Sequence, residues 1–230
     1  MNKLFLFVLI CFGSLQTAVH AQEFSFGLKG GINLTSGGTL TGIRSTPIYT
    51  GATFNAEGEI GFHGGLWTQL SFGKFFIRPE VVYSKLESRF DFPNRPAIYA
   101  VDELSVPFLV GYNIWGPIDI YGGLTYKNIV DASLEGTELA DQLIVVQNFP
   151  LSAQVGAKVE FGSFGLDVRY DHSLANEENQ EVDIINSVYG VNKANFEDAR
   201  LNQIIVSLTI KLWDSENAGK RRRRGGNCYF

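Results

Sequence analysis

Cysteine is almost absent: Cys11 and Cys228 are the only two. Cys11 lies in a stretch read below as a removable leader. One thiol then remains, and no internal disulfide can form. Histidine is as scarce, at His20, His63 and His172. Two of these lie beyond the leader and no Cys/His cluster exists, so a zinc or haem centre has no support and no cofactor is expected. Long apolar runs are missing too. No stretch of about 18 apolar residues occurs, which excludes a transmembrane helix.

What is abundant points to short strands. There are 25 glycines, and aromatics reach 13%. That mixture suits strands joined by tight turns better than helices. The first residues, MNKLFLFVLICFGSLQTAVHAQ, have the layout of an export leader over residues 1–21. Lys3 supplies the positive start, residues 4–13 the short apolar run, and Val19-His20-Ala21 the small-residue cleavage site. No cysteine follows the cleavage site, which argues against a lipid anchor. The rest has the length of one domain.

The clearest signal is FPLSAQVGAKVEFGSFGLDVRYDHS, residues 149–173. Leu151, Ala153, Val155, Ala157, Val159 and Phe161 alternate with Ser152, Gln154, Gly156, Lys158 and Glu160. After Gly162-Ser163 the pattern restarts with Phe164, Leu166, Val168 and Tyr170. Strict period-two alternation about a tight turn reads as an antiparallel hairpin with one apolar face. Eight such segments follow along the chain: 24–34, 59–72, 75–84, 103–115, 118–127, the two arms of the hairpin, and 201–213. The turns Gly73-Lys74, Gly116-Pro117 and Gly162-Ser163 are short. The segments 35–58, 85–102, 128–148 and 174–200 are long. Short turns on one side and long loops on the other imply an all-β, eight-stranded antiparallel up-and-down transmembrane β-barrel. The short turns and both chain ends fall on the periplasmic side, and the loops outside. The barrel domain spans residues 22–213, followed by a basic periplasmic tail, 214–230, expected to be disordered.

The two faces differ in chemistry. No charged residue falls on the apolar face of any segment. The opposite face carries Lys29, Arg78, Lys127, Lys158, Arg169 and Lys211 against Glu59, Glu80, Asp119, Glu160, Asp167 and Asp171. Glu103, at a strand end, adds one more acid. Balanced charge suits a narrow interior where each ion needs a partner. Trp67, Tyr121, Phe76 and Leu109 point inward with them, so a plugged barrel is expected rather than a diffusion channel. A soluble lipocalin-like barrel binding an apolar ligand would show the same alternation with the faces reversed. Aromatics argue for the membrane. Phe24, Phe26, Phe72, Phe75, Tyr112, Phe161 and Phe164 collect near the short turns, and Phe62, Tyr83, Tyr126 and Tyr170 near the loops. Pro79 and Pro107 lie inside strands and predict local bulges.

The stretches FSFGLKGGINLTS, FHGGLWTQLSFGKFFIRPEVVYSK, LSVPFLVGYNI, IYGGLTYK and AQVGAKVEFGSFGLDVRYDHSLAN resemble the PorT-like outer-membrane β-barrel family of Bacteroidota. The similarity runs to Trp213. It implies an eight-stranded outer-membrane barrel of unassigned role. The family's namesake serves a protein secretion system, and no residue here carries that role over.

Candidate chemistry is sparse. Asp171-His172-Ser173 resembles a catalytic set, but consecutive strand positions point to opposite faces. An envelope enzyme and a small channel stand as rival readings. The loops are acidic, with Asp131, Glu135, Glu138 and Asp141 in the third and Glu177, Glu178, Glu181, Asp183, Glu197 and Asp198 in the fourth. They suit a solvated surface, divalent bridges to lipopolysaccharide phosphates, or a partner. Ile184, Ile185, Val188 and Tyr189 form an apolar cluster that either packs over the barrel mouth or binds a partner. The run Lys220, Arg221, Arg222, Arg223 and Arg224 suits anionic envelope components or an acidic periplasmic protein. Nucleic acid is not an expected partner of an exported chain. The partners expected are outer-membrane lipid, lipopolysaccharide and an envelope protein. Asn33-Leu34-Thr35 matches a glycosylation acceptor too short to weigh. Cys228 is left to cross-link to another chain.

Overall fold

The period-two pattern becomes strand over most of the chain. The computed structural model describes residues 22–44, 52–137, 149–176, 179–198 and 200–215. The leader, the basic run 220–224, Cys228, and the acids Glu138, Asp141, Glu177 and Glu178 lie outside the described residues. In chain order the strands are β1 (Gln22–Ser36), β2 (Thr39–Arg44), β3 (Thr53–Asn55), β4 (Glu57–Gly58), β5 (Ile60–Phe72), β6 (Phe75–Phe90) and β7 (Ala97–Trp115). Then come β8 (Ile118–Leu134), β9 (Leu151–Phe161), β10 (Phe164–Ser173), β11 (Gln180–Asp183), β12 (Lys193–Asp198) and β13 (Asn202–Asp214). One helical turn, α1 (Asn186–Tyr189), precedes β12.

Eight strands close a ring in the order β1, β5, β6, β7, β8, β9, β10, β13, with β13 returning to β1. Every pairing is antiparallel. Closure gives each strand a hydrogen-bonded neighbour on both sides, which a lipid environment demands. Gly73, Gly116 and Gly162 make the three tight turns at φ of +63°, +55° and +63°. That left-handed backbone is nearly strain-free only for glycine.

The outward side chains of the ring are exposed and apolar. Leu28, Ile32, Leu66, Val106, Leu124, Val155 and Leu208 form a continuous band, and all eleven girdle aromatics are exposed at its margins. A band of that extent faces lipid rather than water.

Much of what is described of the segments expected as long loops is sheet. β6 continues to Phe90 and β7 begins at Ala97, so 85–102 forms the arms of a hairpin. The alternation persists there with its polarity reversed. Lys85, Glu87 and Arg89 point outward, while Leu86, Ser88 and Phe90 are buried. Above the bilayer the outer face meets water and the inner face meets a second sheet. β8 follows by way of an extra residue, Val130. Glu103 pairs with Ile129 and Asp102 with Asp131. Residues 35–58 and 174–200 supply the second sheet, β11-β12-β2-β3. It packs on the outer arms of β6, β7 and β8 through Leu40, Leu86, Phe90, Tyr99, Leu134 and Phe196. The result is a two-sheet sandwich standing on the barrel.

The bulges expected at Pro79 and Pro107 are absent. Pairing skips the rungs beside them but resumes in the same register, from Pro79↔Phe108 to Val82↔Ser105 and from Trp67↔Glu80 to Leu70↔Ile77. Proline removes a donor, and neighbouring rungs hold the strands in step. Register shifts occur elsewhere, at Phe26/Gly27, Asp102/Glu103 and Asn113/Trp115.

Candidate functional site

Three stacks with the same order fill the lumen: cation, aromatic ring, glycine. Arg78 lies over the Trp67 ring at 4.2 Å, Lys158 over Phe76 at 4.5 Å, and Arg169 over Tyr121 at 5.2 Å. Directly across the ladder from each ring is a glycine: Gly27 opposite Trp67, Gly111 opposite Phe76, Gly156 opposite Tyr121. A Cβ on any of the three would collide with its ring. The ring covers the bare backbone of the glycine, and the cation gains the ring's negative face.

The remaining charges complete one network. Glu80 is its centre. Lys29 Nζ and Arg78 Nε donate to it at 2.9 Å, and Arg169 at 3.0 Å. Arg169 also holds Asp167 at 2.9 Å, and the Tyr121 hydroxyl donates to Asp167 at 2.8 Å. Toward the outer end, Lys127 lies 2.8 Å from Asp171 and 3.3 Å from Glu103. Gln154 joins the two halves, donating to Asp171 at 2.5 Å and accepting from Arg169 at 3.1 Å. Toward the short turns, Lys158 binds Glu160 at 2.6 Å and Asp119 at 3.2 Å. Lys211, half-buried, reaches Glu160 at 3.2 Å. Of the twelve residues picked by parity, Glu59 alone stands apart. It precedes β5, above the lumen, with its carboxylate 3.7 Å from the half-buried Arg89. Glu103 takes its place inside, so six cations still face six acids.

The lumen has almost no free space. A void lined by Lys29, His63, Glu103, Pro107, Asp171 and Gln203, among others, measures about 10 Å³. That is room for a single water.

The sandwich is built oppositely, around an apolar core. Ile184 and Tyr189 are buried in it, Ile185 packs against it, and only Val188 is exposed. Ile184 and Tyr189 are therefore packed in the sandwich core, and Val188 is the member of the cluster left at the surface. The reason is local. Ile184 and Ile185 follow β11, and α1 carries Tyr189, whose ring meets Phe92 edge-on at 6.1 Å. Burial, with the nearby Asp198 carboxylate, pushes the Tyr99 phenol well above its usual range. Burial alone would raise Asp198. Arg200, donating from its side chain and its backbone N–H, holds it below the usual carboxylate range instead. Two other described loop acids are also partly neutralised: Glu181 lies 2.7 Å and Asp183 3.8 Å from Lys193.

No group of three or more His, Cys, Asp or Glu side chains is placed to hold a metal ion among the described residues. Asp171 and Ser173 are buried in the lumen, while His172 is outside, stacked on Tyr170 and within 3.0 Å of Asn202. His63 Nε2 sits 2.8 Å from the Ser207 hydroxyl inside the barrel.

A closed ring with a lipid-facing apolar band and a charged, filled interior defines an outer-membrane-type β-barrel. Residues 20–179 match the family described as outer membrane protein beta-barrel domain, and the chain belongs to that family. The crystal structure of the outer membrane protein OprG from Pseudomonas aeruginosa shares 16% sequence identity, with a TM-score of 0.48. That alignment covers 84% of this chain and 96% of OprG. No curated protein matches the chain.

Proposed function

We propose that this outer-membrane barrel is a structural or binding element of the envelope, acting through its outer sandwich rather than through its lumen. The observation that carries this reading is the contrast between the two interiors. The lumen is occupied by paired charges and stacked rings and leaves about 10 Å³ in its upper half. Beyond the bilayer the chain builds a second apolar core, which a simple pore does not need. The side chains packed in the lumen argue against an open channel. In this reading the leader 1–21 exports the chain. Membrane lipid and lipopolysaccharide surround the apolar band, and an envelope protein engages the sandwich. Closer kinship with the PorT-like barrels rests on the strand stretches quoted above. Planar-bilayer recordings test the sealed lumen. The purified, refolded protein should give no large, stable conductance steps, and regular steps would replace this reading with a channel.

A further inference from the structure

We propose that the barrel wall holds one structural water where the prolines interrupt β6 and β7. The ladder pairs Pro79 with Phe108 and Val82 with Ser105, and skips the two rungs between. Proline has no N–H to offer there. The lumen void lies against this break, since Val82, Ser105 and Pro107 are all among its walls. The Ser105 hydroxyl already turns to the Val82 carbonyl at 3.3 Å, a side-chain bond beside the missing rungs.

The other walls say what occupies the void. His63 Nδ1 and Gln203 Oε1 are buried and find no protein hydrogen-bond partner, although both residues line it. Dry cavities in proteins are apolar, whereas the residues around this one include His63, Gln203, Ser84, Ser105, Glu103 and Asp171 beside its apolar ones. Buried polar groups of that kind need a partner. Size limits the occupant to one water. Charge argues against an ion of either sign, because Lys29 and Arg169 face Glu103 and Asp171 across the same space. A water both donates and accepts. It can therefore serve the orphaned lumen atoms and the strand backbone left open by proline.

Val82→Ile adds one methyl group toward the void. Oxygen-17 relaxation dispersion on the refolded protein in micelles counts waters that outlive molecular tumbling. The variant should carry one fewer such water than the wild type. An equal count in the two proteins overturns the proposal. So does a higher denaturant midpoint for Val82→Ile, the mark of a dry void usefully filled. If Val82→Ile does not refold, a high-resolution crystal structure of the wild type decides the matter. A solvent peak within hydrogen-bond distance of His63 Nδ1 or Gln203 Oε1 supports the water, and an empty map there removes it.

Discussion

Gly64 and Gly111 are both strand glycines, yet they face opposite surroundings. Gly111 lies under the Phe76 ring inside the lumen, where a side chain would collide with it. Gly64 faces lipid beside Gly30, and a Cβ there meets no close atom. Gly111→Val should therefore destabilise the barrel by about 1–3 kcal/mol, the usual range for overpacking. Gly64→Ala should stay within about 0.5 kcal/mol of the wild type. Denaturant unfolding in bilayers, read by intrinsic fluorescence, separates the two. Parity alone located most of the lumen charges, because a period of two assigns a face without any knowledge of neighbours. It misplaced Glu59 because that residue precedes the first rung of β5. The stacks were not legible at all. Pairing Trp67 with Gly27, or Tyr121 with Gly156, needs the register between strands far apart in sequence.

Among the elements, the β6–β7 hairpin holds the main difference between sequence and structure. Residues 85–90 alternate as cleanly as 76–84, but the apolar positions change sides at Lys85. A reading that asks for one apolar outer face stops there and finds a loop. The outer arms are held by their own core, so they should fail separately from the barrel. Phe90→Ala should cost the sandwich about 3–5 kcal/mol. Hydrogen exchange should quicken in β12 and in β6 beyond Lys85, and stay unchanged in β6 from Phe76 to Tyr83. Acid should act on the same unit. The Asp198 carboxyl is lowered by Arg200, so its contribution is complete above the unfolded value, about 3.9, and fades as pH falls through the lower folded value. Arg200→Met should remove that acid dependence from β12 exchange. An unaltered pH profile in the variant would assign the loosening to other groups.

For the molecule as a whole, one wall separates two solvents and reverses itself at the outer interface. Below Tyr83 and Leu104 the outside is apolar and the inside charged; above them the outside is charged and the inside apolar. Val155 and Leu208 lie in the middle of the lipid band. Arginine at either position should cost about 2–4 kcal/mol of bilayer stability. Variants as stable as the wild type would mean that this face does not meet lipid. The family match covers the barrel through β10 and fits that arrangement. The sandwich is what distinguishes this chain's outer surface from a set of loops.

The most direct test is a spin-label accessibility scan along β6, from Phe75 to Phe90, in a Cys228→Ser background. Labels at Ile77, Val81 and Tyr83 should be relaxed by oxygen dissolved in lipid. Labels at Lys85, Glu87 and Arg89 should be relaxed by a water-soluble nickel complex, and labels at Arg78 and Glu80 by neither. Nickel access at Arg78 and Glu80 would mean an open, hydrated lumen. Oxygen-dominated relaxation continuing to Arg89 would mean that the wall does not reverse, and either result would contradict this account.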